Sequence, residues 1–233
     1  MNIAIFIIAA LADYLISGLN PAIIFSHLIY KEDVRNNPKG SGNPGFTNFK
    51  RCYGMKWAWL VFILDISKAI IIELIFGWLF TKVLGENFRL VGIAWTGLFA
   101  MFGHAYPVWY KFKGGKAFLV CISTLFLINW KAGLFSFILL AILLLLTHYM
   151  SLSTIISQIA GVVVLPFLGV SIWPTILFAC CTAFTTFRHK ENIKRLASGT
   201  ERKFYFLKHK DKEDKADDDT STSNQQNQTQ TGE

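Results

Sequence analysis

Residues 132–149 read AGLFSFILLAILLLLTHY, a run without one Lys, Arg, Asp or Glu. A helix that crosses the ~30 Å hydrocarbon core of a bilayer needs roughly 17–25 predominantly apolar residues, and this stretch meets that requirement. The same property recurs on both sides of it, at Met1–Ile29, Trp57–Phe80, Leu90–Tyr106, Ala117–Trp130, Leu152–Leu168 and Ser171–Phe187. Of these seven segments the fourth and the sixth are short for complete spans, and an alternative partition joins 117–149 into one broken hairpin. Pro21 is expected to kink the first segment near its inner end. No Lys or Arg precedes Lys31. That segment therefore lacks the basic start of a cleaved signal peptide and is expected to stay as an anchor.

Composition points the same way. Of 233 residues, 53% are hydrophobic, 15% aromatic and only 16% charged, with mean hydropathy +0.41. Soluble domains carry about 25% charged residues, so a water-soluble globule is excluded. The four cysteines, Cys52, Cys121, Cys180 and Cys181, fit no metal or disulfide spacing, and three of them lie in apolar runs. They read as inert thiols. The net charge of +8 could signal nucleic acid, but its placement explains it otherwise. With seven alternating spans, one side receives 31–56, 107–116, the turn near 150 and the tail from Arg188, which together hold 19 of the 23 Lys and Arg. The other side holds Lys82, Arg89 and Lys131, and Lys68 lies within a span. Cytoplasmic loops carry the excess of Lys and Arg. The reading is therefore an all-α integral membrane protein of seven transmembrane helices, N-terminus outside and C-terminus cytoplasmic, with nucleic acid excluded as a partner. Residues 1–210 form the membrane domain. Residues 211–233, with no aromatic and no aliphatic larger than Ala, are expected to form a disordered cytoplasmic tail.

Three polar islands fall on the side assigned to the cytoplasm. The first, Gly40–Arg51, reads GSGNPGFTNFKR. Its glycines let the backbone approach a ligand and turn N–H groups inward, Ser41, Asn43, Thr47 and Asn48 add neutral partners, and Lys50 and Arg51 add charge. The loop suits an oxyanion, most simply phosphate; the plain alternative is a flexible connector. The second, Gly103–Lys116, reads GHAYPVWYKFKGGK. His104 could accept a proton or simply be hydrogen-bonded. Lys113-Gly114-Gly115-Lys116 resembles the way phosphate loops combine backbone donors with Lys, although it is equally a positive loop at a membrane face. The third, Arg188–Glu201, reads RHKENIKRLASGTE. Asn192 and Arg195 share a helical face and Gly199 is expected to end that helix; the plain alternative is a basic helix on anionic lipid. Asp65 and Lys68 share a face of the second span, as an internal ion pair or as a brace for the loops. Asp13 and Glu73 receive no role.

Together these islands resemble the integral-membrane acyl-phosphate:glycerol-3-phosphate acyltransferases of bacteria, the PlsY type. The family pattern G-S-G-N-x-G-x-T-N-x-x-R is matched from Gly40 to Arg51. G-H-x-x-P followed by F-K-G-G-K is matched at Gly103, His104, Pro107 and Phe112–Lys116. H-x-x-N-I-x-R-L-x-x-G-x-E is matched from His189 to Glu201, and Ser151-Leu152-Ser153 is a weaker match. The resemblance covers about residues 1–207 and brings an architecture of seven transmembrane helices. Phe46, Ala117 and Lys190 depart from the residues usual in the family; the first two bear on pocket shape, hence on acyl-chain length.

The resemblance implies transfer of a fatty acyl group from acyl phosphate to the 1-hydroxyl of glycerol 3-phosphate at the cytoplasmic face of the bacterial membrane, with lysophosphatidic acid and phosphate as products. It implies no metal and no cofactor, and functional coupling to the enzyme that makes acyl phosphate. Ser41, Arg51 and Lys116 would bind glycerol 3-phosphate. Gly42, Asn43, Gly45, His104, Gly114, Gly115 and Asn192 would hold the acyl-phosphate headgroup or polarise its carbonyl. Gly40, Thr47, Asn48, Lys113, Arg195 and Glu201 complete the binding set, with His104, Ser41 and Asn192 nearest the chemistry. His104 is a base toward the hydroxyl or a hydrogen-bond donor, and the donor role is favoured because the substrate's own phosphate could take the proton. Acyl phosphate is already activated, so positioning and charge neutralisation suffice. No G-x-S-x-G nucleophile is present. The spacing H-x-x-x-x-D, the signature of acyltransferases that use other donors, occurs only at His209 and Asp214, in the polar tail. A carrier for an organic phosphate is the rival reading, but carriers often show internal repeats and a midplane site, whereas here no repeat is visible and all three islands share one face.

Overall fold

The structure, a computed structural model, describes residues 2–205; the polar tail expected from Asp211 lies outside them. The helices in order are α1 (Ile3–Ser17), α2 (Pro21–Tyr30), α3 (Phe46–Tyr53), α4 (Met55–Leu84), α5 (Arg89–Ala105), α6 (Phe118–Ile128), α7 (Trp130–Thr147), α8 (Met150–Val164), α9 (Ile172–Arg188) and α10 (Lys190–Ala197). The described residues contain no strand. The seven apolar segments of the sequence correspond to α1 with α2, then α4 to α9. α3 and α10 are the short amphipathic pieces that carry the first and third islands.

The bundle is inverted relative to a soluble protein. Large apolar side chains such as Ile8, Leu11, Ile71, Trp78, Leu145, Leu146 and Trp173 face outward. Asp13, Ser17, Glu73, Thr96, Thr124, Ser136, Ser157 and Gln158 are buried. Polar groups inside and apolar groups outside are the arrangement that a hydrocarbon solvent selects. α6 has 11 residues, about 16 Å of helix at 1.5 Å per residue, well short of a bilayer core. It is tolerated because its ends are buried in protein rather than in lipid. Val120, Cys121 and Leu125 pack in the main core with residues of α5 and α9, and Asn129 caps α7 by accepting from the N–H of Lys131 at 3.0 Å.

The expected kink at Pro21 is a complete break between α1 and α2, for a reason that hydrogen-bond accounting makes plain. Pro21 has no N–H, so the carbonyl of Ser17 loses its i+4 donor. The N–H of Ile23, which would have served Leu19, donates instead to the Asn20 side chain at 3.1 Å. Lys68 Nζ takes both freed carbonyls, Ser17 O at 2.8 Å and Leu19 O at 2.9 Å. Trp109 Nε1 takes Leu15 O at 2.9 Å.

α5 packs so closely on α1 and α6 that its small residues are obligatory. A Cβ added to Gly103 would lie 2.2 Å from the backbone oxygen of Tyr14, and one added to Gly97 would lie 2.6 Å from the Thr124 side chain. Overpacking a core costs about 1–3 kcal/mol when side chains can yield, and at Gly103 the obstacle is backbone. Gly103→Ala is therefore expected to lower stability by at least the upper part of that range, and Gly97→Ala by less. Thermal unfolding in detergent measures the order of the two.

Candidate functional site

The first island is shaped by its own polar side chains. Ser26 Oγ accepts from the N–H of Val34 at 3.1 Å, which turns the chain after α2. Asn48, buried at the start of α3, accepts from Ser41 N–H at 2.6 Å and from Ser41 Oγ at 3.1 Å, so it fixes the Gly40–Gly45 loop from within. Asn20 donates to Pro44 O at 3.0 Å, and this joins the loop to the break in the first segment. The N–H groups of Gly40 and Gly45 are taken by Asn37 O and Asn43 O. Gly42, at φ +73°, is exposed, and its N–H makes no hydrogen bond among the described residues. Thr47 is half-buried.

The second island folds back on the end of α5. The N–H groups of Gly114 and Gly115 donate to Ala105 O at 3.1 Å and to His104 O at 3.0 Å. The Gly pair expected to offer backbone donors to a phosphate therefore gives them to α5. Its glycines serve close approach instead. A Cβ at Gly114 would lie 2.1 Å from His104 O, and one at Gly115 would lie 2.3 Å from His104 Nε2. Lys113 is exposed. Arg35, paired with Asp33 at 2.6 Å, donates to Lys113 O at 2.9 Å and so ties the loop ahead of the first island to the second.

The third island completes the ring. Lys116 Nζ donates to Asn192 Oδ1, Asn192 Nδ2 donates to Glu201 Oε1, and Ser151 Oγ reaches the same oxygen at 2.7 Å. Arg195 Nε donates to Glu201 Oε2 at 2.8 Å. Glu201 is thus occupied by protein partners, and it orients Asn192 and Arg195. Arg188, at the end of α9, was no sequence candidate. Its guanidinium donates to Gly115 O at 3.1 Å and stacks 4.6 Å from the centre of the Tyr106 ring. Only the crossing of α9 against the second island gives it this place. Burial, and the positive charges of Arg195, Arg188 and Arg51, lower the Lys116 ammonium to about 8, against the opposing pull of Glu201. Three guanidinium groups and one carboxylate thus act on the Lys116 charge, a net positive setting suited to an anionic ligand.

His104 is 4% exposed. Its Nδ1 lies 3.4 Å from Asp65 Oδ1 and 3.4 Å from Lys68 Nζ, and those two residues form an ion pair at 3.0 Å. A cleft of about 810 Å³ is lined by Ile23, Ile24 and Leu28 of α2 together with the polar His27, Asp33, Arg35, Lys111 and Lys113, and it reaches Gly114, which packs on the backbone of His104. Among the described residues, no group of His, Cys, Asp and Glu could hold a metal ion.

Burial disfavours ionisation of Glu201, but hydrogen bonds from Asn192, Ser151 and Arg195 outweigh it and lower its carboxyl below the ordinary value. A carboxyl lowered on folding contributes stability that is present above its unfolded value, ~4.3, and is lost as pH falls. The Tm advantage of the parent protein over Glu201→Gln should therefore be full at neutral pH and shrink as pH drops below the ordinary carboxyl value of ~4.3.

A family model described as glycerol-3-phosphate acyltransferase matches residues 7–199. The glycerol-3-phosphate acyltransferase of Mycoplasmopsis synoviae is 35% identical over 230 residues, covering 89% of this chain and 98% of the relative. That of Aquifex aeolicus is 35% identical over 186 residues, covering 78% and 93%. Crystal structures of PlsY (YgiH), an integral membrane glycerol 3-phosphate acyltransferase, superpose with TM-scores of 0.77 for the glycerol 3-phosphate form and 0.75 for the lysophosphatidic acid form. Both are 32% identical to this chain and cover 86% of it, and the chain covers 96% and 95% of them. With three separate motifs converging in one site and matches of this extent, the chain belongs to the glycerol-3-phosphate acyltransferase family.

Proposed function

We propose that this chain transfers a fatty acyl group from acyl phosphate to the 1-hydroxyl of sn-glycerol 3-phosphate, giving lysophosphatidic acid and phosphate, the first step of phospholipid biosynthesis. Family membership supports acyl transfer to glycerol 3-phosphate. The observation that carries the finer reading is Lys116, under the positive charge of Arg195, Arg188 and Arg51 and next in sequence to the glycine that packs on the buried His104, together with a cleft lined by both apolar residues of α2 and the cations Arg35, Lys111 and Lys113. Such a cleft suits an anion with a fatty tail, and the charges about Lys116 suit a second phosphate.

The hydroxyl oxygen attacks the acyl carbon, the bond from that carbon to the phosphate oxygen breaks, the electron pair leaves on phosphate, and the hydroxyl proton ends on the released phosphate. Ser41, Arg51 and Lys116 hold glycerol 3-phosphate; Gly42, Asn43, His104 and Asn192 face the donor. Gly114 and Gly115 act through close approach, and Asn48, Glu201 and Arg195 act through the loops that they hold. Cys121 and Cys181 are buried in the bundle and are not placed for attack. The active face is cytoplasmic, the described helices make seven spans, and the enzyme that makes acyl phosphate is the functional partner.

Purified protein given acyl phosphate and glycerol 3-phosphate should release inorganic phosphate, and acyl coenzyme A should replace acyl phosphate poorly or not at all; equal turnover with both donors would refute the donor assignment. Labelling of Gly45→Cys and Ser198→Cys should occur from the same face of the membrane, and labelling from opposite faces would refute the seven-span topology.

A charge-assisted contact to a desolvated phosphate is worth on the order of 2–4 kcal/mol, about 30- to 1,000-fold in kcat/KM. Arg51→Lys loses two parallel N–H bonds, and Lys116→Ala loses a charge. Both should raise KM for glycerol 3-phosphate far more than KM for acyl phosphate. Lys116 is charged below about 8 and loses its proton above it, so KM for glycerol 3-phosphate should rise as pH climbs through that value. Lys116→Arg, charged throughout, should remove that rise.

A further inference from the structure

We propose that residues 202–205 form a strap that holds α3 in place and so sets the position of Arg51 for glycerol 3-phosphate, with Phe204 and Lys50 as positioning residues. The role toward glycerol 3-phosphate rests on the acyl-transfer reading above; the hold on α3 does not. The segment lies beyond residues 7–199, the part matched by the family model, and it is pinned at both ends. At its start the Glu201 carboxylate accepts from Ser151 Oγ at 2.7 Å, from Arg195 Nε at 2.8 Å and from Asn192 Nδ2. Three residues on, the N–H of Phe204 donates to His148 O at 2.7 Å, in the turn between α7 and α8. The Tyr205 ring lies 4.8 Å, centre to centre, from the His148 ring.

The strap turns one apolar side chain inward. Arg202 and Lys203 are exposed, whereas Phe204 is buried. Lys50 Nζ lies 4.4 Å from the centre of the Phe204 ring and donates to Tyr205 O. An ammonium is attracted to the negative face of an aromatic ring, and the carbonyl adds a charge-assisted hydrogen bond. Lys50 therefore grips the strap twice, across 155 positions of sequence.

That grip matters because α3 has only eight residues, too few to be a stable helix without tertiary support. Phe49 packs it among Ala22, Ile23 and Val34, and Asn48 ties it to the loop before it. Lys50 adds the hold on the strap. Arg51 follows directly, and its charge acts on Lys116. A guanidinium that binds phosphate through two parallel N–H bonds needs a fixed orientation, so a helix free to pivot would weaken that contact first. Phe204 and Lys50 act through Arg51 and touch no reacting atom.

The test uses the full-length protein in lipid nanodiscs, with kinetics for both substrates and amide exchange over residues 46–53. Phe204→Leu keeps a buried apolar side chain and removes the aromatic face. Lys50→Met keeps the stem and removes the ammonium. Each should raise KM for glycerol 3-phosphate about 3- to 30-fold, the range of a cation–aromatic contact, and speed exchange over 46–53. KM for acyl phosphate and kcat should stay within about twofold. Phe204→Tyr and Lys50→Arg, which retain the face and the charge, should match the parent within about twofold. Because both changes break one contact, Phe204→Leu/Lys50→Met should fall well short of the product of the single effects. An unchanged KM for glycerol 3-phosphate in both single variants overturns the proposal, as does a multiplicative double variant or a parallel loss in kcat and both KM values. A parent that turns over no acyl phosphate removes the acyl-transfer reading instead. Exchange over 46–53 then decides the strap: faster exchange in Phe204→Leu and Lys50→Met supports its hold on α3, and unchanged exchange overturns it.

Discussion

Lys68 and Asp65, 3.0 Å apart on one face of α4, meet three requirements at once. Lys68 caps the two carbonyls that the break before Pro21 leaves without donors, and in a low-dielectric interior an unpaired carbonyl is costly. Asp65 balances the ammonium, which would otherwise be an unpaired charge inside the bundle; breaking such a pair by removing one partner typically costs about 3–5 kcal/mol. Both face His104. The break matters in turn, because Asn20, at the head of α2, anchors Pro44. The glycine-rich loop is thereby placed by a side chain from the first apolar segment.

From that pair the site closes as a ring of contacts. Pro44 lies against Gly115, Gly115 lies against His104, and His104 faces Asp65 again. The remaining connections run outward from Lys116 through Asn192 to Glu201, with Ser151 of α8 holding the same carboxylate. Residues far apart in sequence therefore hold each other, and the substitutions that matter most are those that add volume or strip one partner of a buried pair. The glycines of the second island illustrate this. Their N–H groups are satisfied within the protein, so their value lies in the volume they leave open beside the imidazole.

Much of the architecture was legible in the amino-acid order because a lipid solvent imposes simple rules. A long uncharged run must be helical, since each backbone polar group has to be satisfied within its own segment. The apolar segments accordingly match helices from α1 to α9 apart from α3. Local chemistry also sufficed for the third island, where Gly199 at φ +72° follows the short helix α10. The three motifs pointed to one site because their residue types suit anions, and the structure brings them together.

Other features could not be read from neighbours in sequence. Whether Pro21 bends or breaks its segment depends on Lys68, about fifty positions away, being there to take the released carbonyls. Arg188 gained its place only because α9 crosses the second island. Gly114 and Gly115 looked like donors to a ligand until the return of their segment onto α5 occupied both N–H groups. Asp65 and Lys68 were visible as a pair one turn apart, but their partners belong to α5, to the end of α1 and to the linker after it. Sequence determined the helices, their apolar faces and the residue types of the site, because these follow from solvent and local geometry. Tertiary structure alone decided which polar groups are already occupied and which face an open side, because hydrogen-bond capacity is settled between elements distant along the chain.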